Sequence, residues 1–154
     1  MKTKRYAFCT QDDAGTEEAG RRLAQTVQGT ICLEGELGSG KTVFARGYAR
    51  GLGITDYITS PTFNIVNVYE KDGIILNHMD AYRITDPGML EDIGFREMLD
   101  DGGTTLIEWA DLIPGETGGF DAYVRILHGH GEGKRIIIIE SNPAKMNEYM
   151  AESI

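Results

Sequence analysis

The sequence predicts an α/β fold, a mixed central sheet flanked by helices in three layers, and three observations predict it. Residues 35–42 read Gly35-Glu36-Leu37-Gly38-Ser39-Gly40-Lys41-Thr42, a complete G-x-x-x-x-G-K-T pattern. The apolar run Ile31-Cys32-Leu33 precedes it, and a stretch of helical character follows from Thr42. Two later apolar runs, 74–80 and 104–108, each end on an acid, Asp80 and Glu108, as strands do when they present carboxylates at the ligand-binding edge of an open sheet. Strand, glycine-rich loop and helix in that order make a phosphate-binding loop. Its glycines let backbone N–H groups converge on phosphate oxygens, and the helix turns its positive end toward them. The expected architecture is a P-loop NTPase-like three-layer sandwich, in a single domain spanning 1–154.

The elements follow in order. Thr10 or Thr16 is placed to cap a first helix running to about residue 28, with Ala19, Leu23, Ala24 and Val27 as its apolar stripe and Gly29 as its end. Residues 30–34 are the strand that feeds the loop, and 42–52 the helix behind it, closed by Gly51 and Gly53. Residues 63–70 alternate in part and 74–80 are apolar again. The Asp72-Gly73 step between them suits a tight hairpin. Residues 87–94 read as a short helix with Pro87 in its first turn, and 95–99 continue helical before the break at Asp100-Asp101-Gly102-Gly103. Residues 104–108 are a further strand. Residues 123–128 and 135–140 flank the glycine-rich tip Gly129-His130-Gly131-Glu132-Gly133-Lys134 and read as a closing hairpin, and a last helix is expected over 144–150, after Pro143. No internal repeat or low-complexity segment interrupts this order.

Size and composition bound the function. At 154 residues and 41% apolar content, the chain has the length and core of one globular unit. Its longest apolar run, residues 136–139, is far short of a membrane span, and Met1-Lys2-Thr3-Lys4-Arg5 is followed by no signal-peptide stretch. A soluble cytoplasmic protein with no membrane partner is expected. Cys9 and Cys32 stand apart from any C-x-x-C or Cys/His cluster and read as reduced, packed thiols. A formal charge of −9, from 15 basic and 24 acidic residues, argues against a broad electrostatic footprint on nucleic acid.

The chemistry concentrates at the loop. Lys41 brings a point charge to the β and γ phosphates, and the Thr42 hydroxyl is a magnesium ligand. Hydrolysis or switching also needs an acid in the magnesium shell and a group that orients water, and Asp80 and Glu108 are placed for those roles. Between loop and Asp80 lies Ser60-Pro61-Thr62-Phe63, whose proline fixes one backbone angle and whose hydroxyls would sense a γ-phosphate.

In combination, the loop, Phe44-Ala45-Arg46-Gly47, Ser60-Pro61-Thr62-Phe63, His78-Met79-Asp80-Ala81-Tyr82-Arg83 and Ile107-Glu108-Trp109 resemble the bacterial TsaE family, formerly YjeE. The resemblance implies a small P-loop ATPase, slow alone, that works with the partner proteins TsaB and TsaD to make threonylcarbamoyladenosine at the tRNA adenosine beside the anticodon. TsaD carries the transfer chemistry in that scheme, so tRNA is met through the partners. ATP and Mg²⁺ are the implied cofactors. Glu36, Leu37, Gly38, Ser39, Gly40, Lys41, Thr42 and Val43 would cradle the nucleotide. Thr42 and Glu108 would attend the metal, with Asp80 in its outer shell or orienting water. Ser60 to Phe63 would be a switch, and Trp109 would pack beside the nucleotide, a partner or the core. The family's adenine contact falls among Thr10, Gln11 and Asp13, with Gln11 carried forward, and its late basic residue is Lys134 or Arg135, with Lys134 carried forward. Val43 stands where family members often place a second hydroxyl, which leaves Thr42 as the sole loop ligand to the metal.

Two alternatives compete with this reading. A small-molecule kinase needs an arginine-rich lid, and after Phe95 only Arg96 precedes Arg125. A nucleotide-dependent interaction switch needs little hydrolysis of its own. No N-K-x-D guanine-reading motif is present, which favours adenine.

Overall fold

A computed structural model of the chain describes residues 4–61 and 64–141. In chain order the elements are β1 (Lys4–Thr10), α1 (Asp13–Thr26), β2 (Thr30–Glu34), α2 (Lys41–Gly51), β3 (Val66–Lys71), β4 (Ile74–Asp80), α3 (Pro87–Asp92), α4 (Phe95–Asp100), β5 (Thr104–Glu108), β6 (Ala122–His128) and β7 (Arg135–Ser141). Short 3-10 turns follow β4 at Ala81–Arg83 and β5 at Ala110–Leu112. The strands form one mixed sheet in the order β1-β7-β6-β2-β5-β4-β3. Its inner strands β6, β2, β5 and β4 are parallel, while β7 runs antiparallel to both β6 and β1, and β3 antiparallel to β4.

Side-chain alternation along the strands sorts the apolar residues into two cores. Ile31, Leu33, Leu76 and Leu106 turn to one face and join Leu23, Phe44 and Tyr48 of α1 and α2. Cys32, Met79 and Ile107 turn to the other and join Leu90, Phe95 and Ile113 beneath α3 and α4. The three-layer α/β sandwich is therefore present as the sequence implied. Helices α1 and α2 meet backbone to backbone: a Cβ on Gly20 would run into the Phe44 carbonyl, and one on Gly47 into the Glu17 carbonyl. Only glycine permits this approach, and it fixes the helix behind the phosphate loop.

The structure departs from the sequence reading at several boundaries. Strand β1 was not anticipated; it is an edge strand whose Tyr6 and Phe8 are half-buried against the core, but Ala7 and Cys9, which alternate with them, are exposed without being polar, so residue type does not show the alternation. Because β1 runs on through Thr10, the cap falls between the two expected threonines, at Asp12, whose carboxylate accepts from the Gly15 N–H at 2.8 Å. Thr10 and Thr16 instead hydrogen-bond each other at 2.7 Å. Helix α1 stops at Thr26, with Val27 extended. Strand β3 begins at Val66, three residues later than the pattern suggested, just after Ile65 with φ +64°. The expected helix over 144–150 lies outside the described residues.

Candidate functional site

The carboxyl ends of the parallel strands share one edge of the sheet, and the site is built there. Asp80 and Glu108 are register partners on adjacent strands, β4 and β5. Counting by twos, Glu108 shares the face of Leu106, and Asp80 that of Leu76 and His78, so both carboxylates look toward α2. Helix α2 starts at Lys41, and its first orphan N–H groups point to the same space. Gly40 caps it with φ +106°, a conformation open to glycine, and a Cβ there would also approach Arg135 Nε to 3.1 Å.

Each loop side chain has a definite place. Lys41 is buried and bends back, its Nζ donating to the Gly35 carbonyl at 2.5 Å and the Glu36 carbonyl at 3.0 Å, and it lies 4.1 Å from the centre of the Trp109 ring. Burial pulls its pKa below the usual 10.5, against the attraction of Glu108, Asp80 and Asp111. Thr42 Oγ1 stands 3.3 Å from each Glu108 carboxylate oxygen. Glu108 is 2% exposed, and its Oε2 is 2.5 Å from His78 Nε2. Asp80 accepts from Ser60 Oγ at 3.1 Å and from the Tyr82 N–H at 2.9 Å. Ser39 Oγ is buried with no hydrogen-bond partner among the described residues.

Trp109 follows Glu108 in the left-handed region, φ 59° and ψ 35°, a conformation that costs a bulky residue on the order of 1–3 kcal/mol and that clusters at functional sites. The twist lays its ring between Lys41 and Tyr82, whose ring centre is 5.0 Å away.

These residues border a cleft of about 430 Å³. Leu37, Gly38, Gly40, Lys41, Thr42, Val43, Ser60, Pro61, Asp80, Glu108 and Trp109 all line it. Glu36 contributes its carbonyl to Lys41, and Leu37 projects into solvent at 85% exposure. Thr62 and Phe63 lie outside the described residues. Where the sequence left neighbours open, the fold separates them: Asp13 and Arg135 line the cleft, whereas Gln11 and Lys134 are exposed and do not. Arg135, first residue of β7, donates to the Ser39 carbonyl and, at 3.3 Å, to the Gly38 carbonyl. The Lys134 chain instead runs along Gly131 in the hairpin tip. Tyr82 and Arg83 also reach the cleft, and their place in the His78-to-Arg83 segment was the only sequence signal for them.

Chemically, converging N–H groups and a lysine suit a phosphate chain, and a hydroxyl beside a carboxylate suits a hard divalent cation. Among the described residues no three His, Cys, Asp or Glu side chains form a closed metal cage. A family model described as threonylcarbamoyl adenosine biosynthesis protein TsaE matches residues 10–137. The chain belongs to the TsaE family.

Relatives named tRNA threonylcarbamoyladenosine biosynthesis protein TsaE align over much of the chain. The Synechocystis protein is 39% identical over 74% of this chain and 76% of its own, and the Nostoc protein 35% identical over 80% and 78%. The Bacillus subtilis TsaE is 48% identical, over 54% of this chain and 51% of its own, so that alignment spans about half of the relative's length. The crystal structure of Bacillus subtilis YdiB superposes with a TM-score of 0.71 at 28% identity, covering 99% of this chain and 95% of that one. No helix among the described residues is long and apolar enough to cross a membrane.

Proposed function

We propose that the chain is a magnesium-dependent ATPase that serves the formation of threonylcarbamoyladenosine in tRNA, in the cytoplasm, together with TsaB and TsaD. The observation that carries this reading is the convergence of the Thr42 hydroxyl and the buried Glu108 carboxylate at the N-terminus of α2. The residues fit the nucleotide: Gly38 and Gly40 have positive φ, Ser39 Oγ has no partner among the described residues, and the Lys41 ammonium rests on two loop carbonyls. Bound Mg-ATP supplies a γ-phosphoryl group whose charge the cation offsets. Lys41 would exchange the Gly35 and Glu36 carbonyls for phosphate oxygens, while Thr42 and Glu108 would hold the cation. Asp80 orients water, and through Ser60 Oγ it ties the 60–63 segment to the state of the site. Asp13 and Arg135 meet the nucleoside end, in preference to their neighbours Gln11 and Lys134. A charge of −9 leaves the grip on tRNA to the partners.

The test is ATP turnover by the purified chain with Mg²⁺, alone and with TsaB and TsaD, alongside threonylcarbamoyladenosine formation. Turnover that rises with the partners and vanishes in Lys41→Ala is expected. A parent chain that binds no ATP, or turnover indifferent to Lys41→Ala, overturns the proposal.

A further inference from the structure

We infer that His78 is a positioning residue that holds the Glu108 carboxylate in its metal-ready orientation, and so sets how much magnesium the site needs. Strand parity puts His78 on the α2 side of β4, one strand from Glu108, with a side chain 0% exposed against 3% for the glutamate. At 2.5 Å, Nε2–Oε2 is the close contact of that carboxylate; the Thr42 hydroxyl is a long 3.3 Å away and is shared between both oxygens. Nδ1 of the same ring is buried and has no hydrogen-bond partner among the described residues. That geometry chooses between the two neutral tautomers of the ring. A hydrogen on Nδ1 would leave a buried donor unmet and set a bare Nε2 lone pair against a carboxylate oxygen, whereas one on Nε2 is accepted by Glu108 and leaves only a lone pair unfilled. His78 therefore donates to Glu108 and offers the cation no lone pair. It acts through the carboxylate, as outer-shell partners do for metal ligands.

The inference rests on the ATPase reading, and its first test does not need nucleotide. Nitrogen-edited NMR of the full chain without ATP should show the His78 ring hydrogen on Nε2, slow to exchange, with its resonance displaced in Glu108→Gln. The second test titrates Mg²⁺ against a non-hydrolysable ATP analogue. His78→Leu should raise the half-saturating magnesium about tenfold and change metal-free analogue affinity by less than about twofold. His78→Gln, whose amide donates at a similar reach, should recover most of the loss. A ring hydrogen on Nδ1 overturns the inference, and so does parental magnesium dependence in a folded His78→Leu. Should His78→Leu fail to fold, the NMR result and His78→Gln decide: a Gln variant that needs tenfold more magnesium overturns it as well. Absence of analogue binding by the parent chain would instead defeat the ATPase reading, leaving the NMR result to stand or fall by itself.

Discussion

Two polar clusters cross this sheet, and they are satisfied in opposite ways. Across β1, β7, β6 and β2, Arg5 pairs with Glu140 at 2.7 Å, Arg125 bridges Glu140 at 2.9 Å and Glu34 at 3.2 Å, and the Tyr123 hydroxyl donates to Glu34 at 2.6 Å. Each of these charges has an opposite partner on a neighbouring strand, and the cluster is partly open to water. At the cleft the polar groups are more deeply buried, and several of their partners are makeshift: a lysine on carbonyls and an indole face, a hydroxyl at long range, a serine oxygen with no partner among the described residues. A cluster complete within the chain supports the fold. One that leaves donors and acceptors to be taken over suits the ligand proposed above, and its burial would make each exchange energetically large.

The comparison is broken most severely by Lys41→Ala. ATP affinity should fall by about a hundredfold or more, as expected for a desolvated charge on phosphate, while the melting temperature stays near the parent's, since only carbonyl and ring contacts are lost. Calorimetric binding beside a melting curve checks both, and unchanged affinity means the loop has been misread. Glu108→Gln and Asp80→Asn should each lower partner-stimulated turnover by about a hundredfold and spare nucleotide binding more than hydrolysis. Parental turnover in either variant removes that residue from the chemistry. Thr42→Val keeps the shape and deletes one oxygen, so Mg-ATP affinity should drop about tenfold with metal-free ATP affinity nearly unchanged. Equal losses with and without magnesium would falsify the ligand role.

The smallest effect belongs to the other cluster. Burial raises the Glu140 pKa and hydrogen bonds from Arg5 and Arg125 more than reverse this, for a net value below the ordinary 4.5. A carboxylate with a lowered folded pKa adds stability that is complete above about pH 4.5 and is lost as pH falls through the folded value. Glu140→Gln should therefore cost about 1 kcal/mol or less at neutral pH, because Arg5 is 65% exposed and screened. As pH falls through the folded value parent and variant should converge, and ATP turnover at neutral pH should match the parent's. A stability gap that widens on acidification would show that the ladder is wired differently.

The sequence by itself determined the parts whose physics is local. A G-x-x-x-x-G-K-T run needs no tertiary information to be read as a phosphate loop, because its glycine angles and helix start are encoded within eight residues. Strands β2, β4 and β5 fell on their expected residues, each a short apolar run with a clear stop, and with them Asp80 and Glu108 at strand ends. Tertiary structure alone decided what depends on partners far along the chain. Strand β1 is defined by its pairing with β7, whose residues lie more than a hundred positions away; its burial alternates, but the exposed Ala7 and Cys9 are not polar, so the residue types do not announce it. That pairing displaced the α1 cap from the threonines to Asp12. The same long-range order set Arg135 rather than Lys134 against the loop, because strand alternation at the start of β7 aims one of two adjacent basic side chains at the cleft. It also joined His78 to Glu108, thirty positions further along the chain, and turned Trp109 back over Lys41. Residue order carries a spacing, but the face a side chain meets is fixed only when neighbouring strands choose their register.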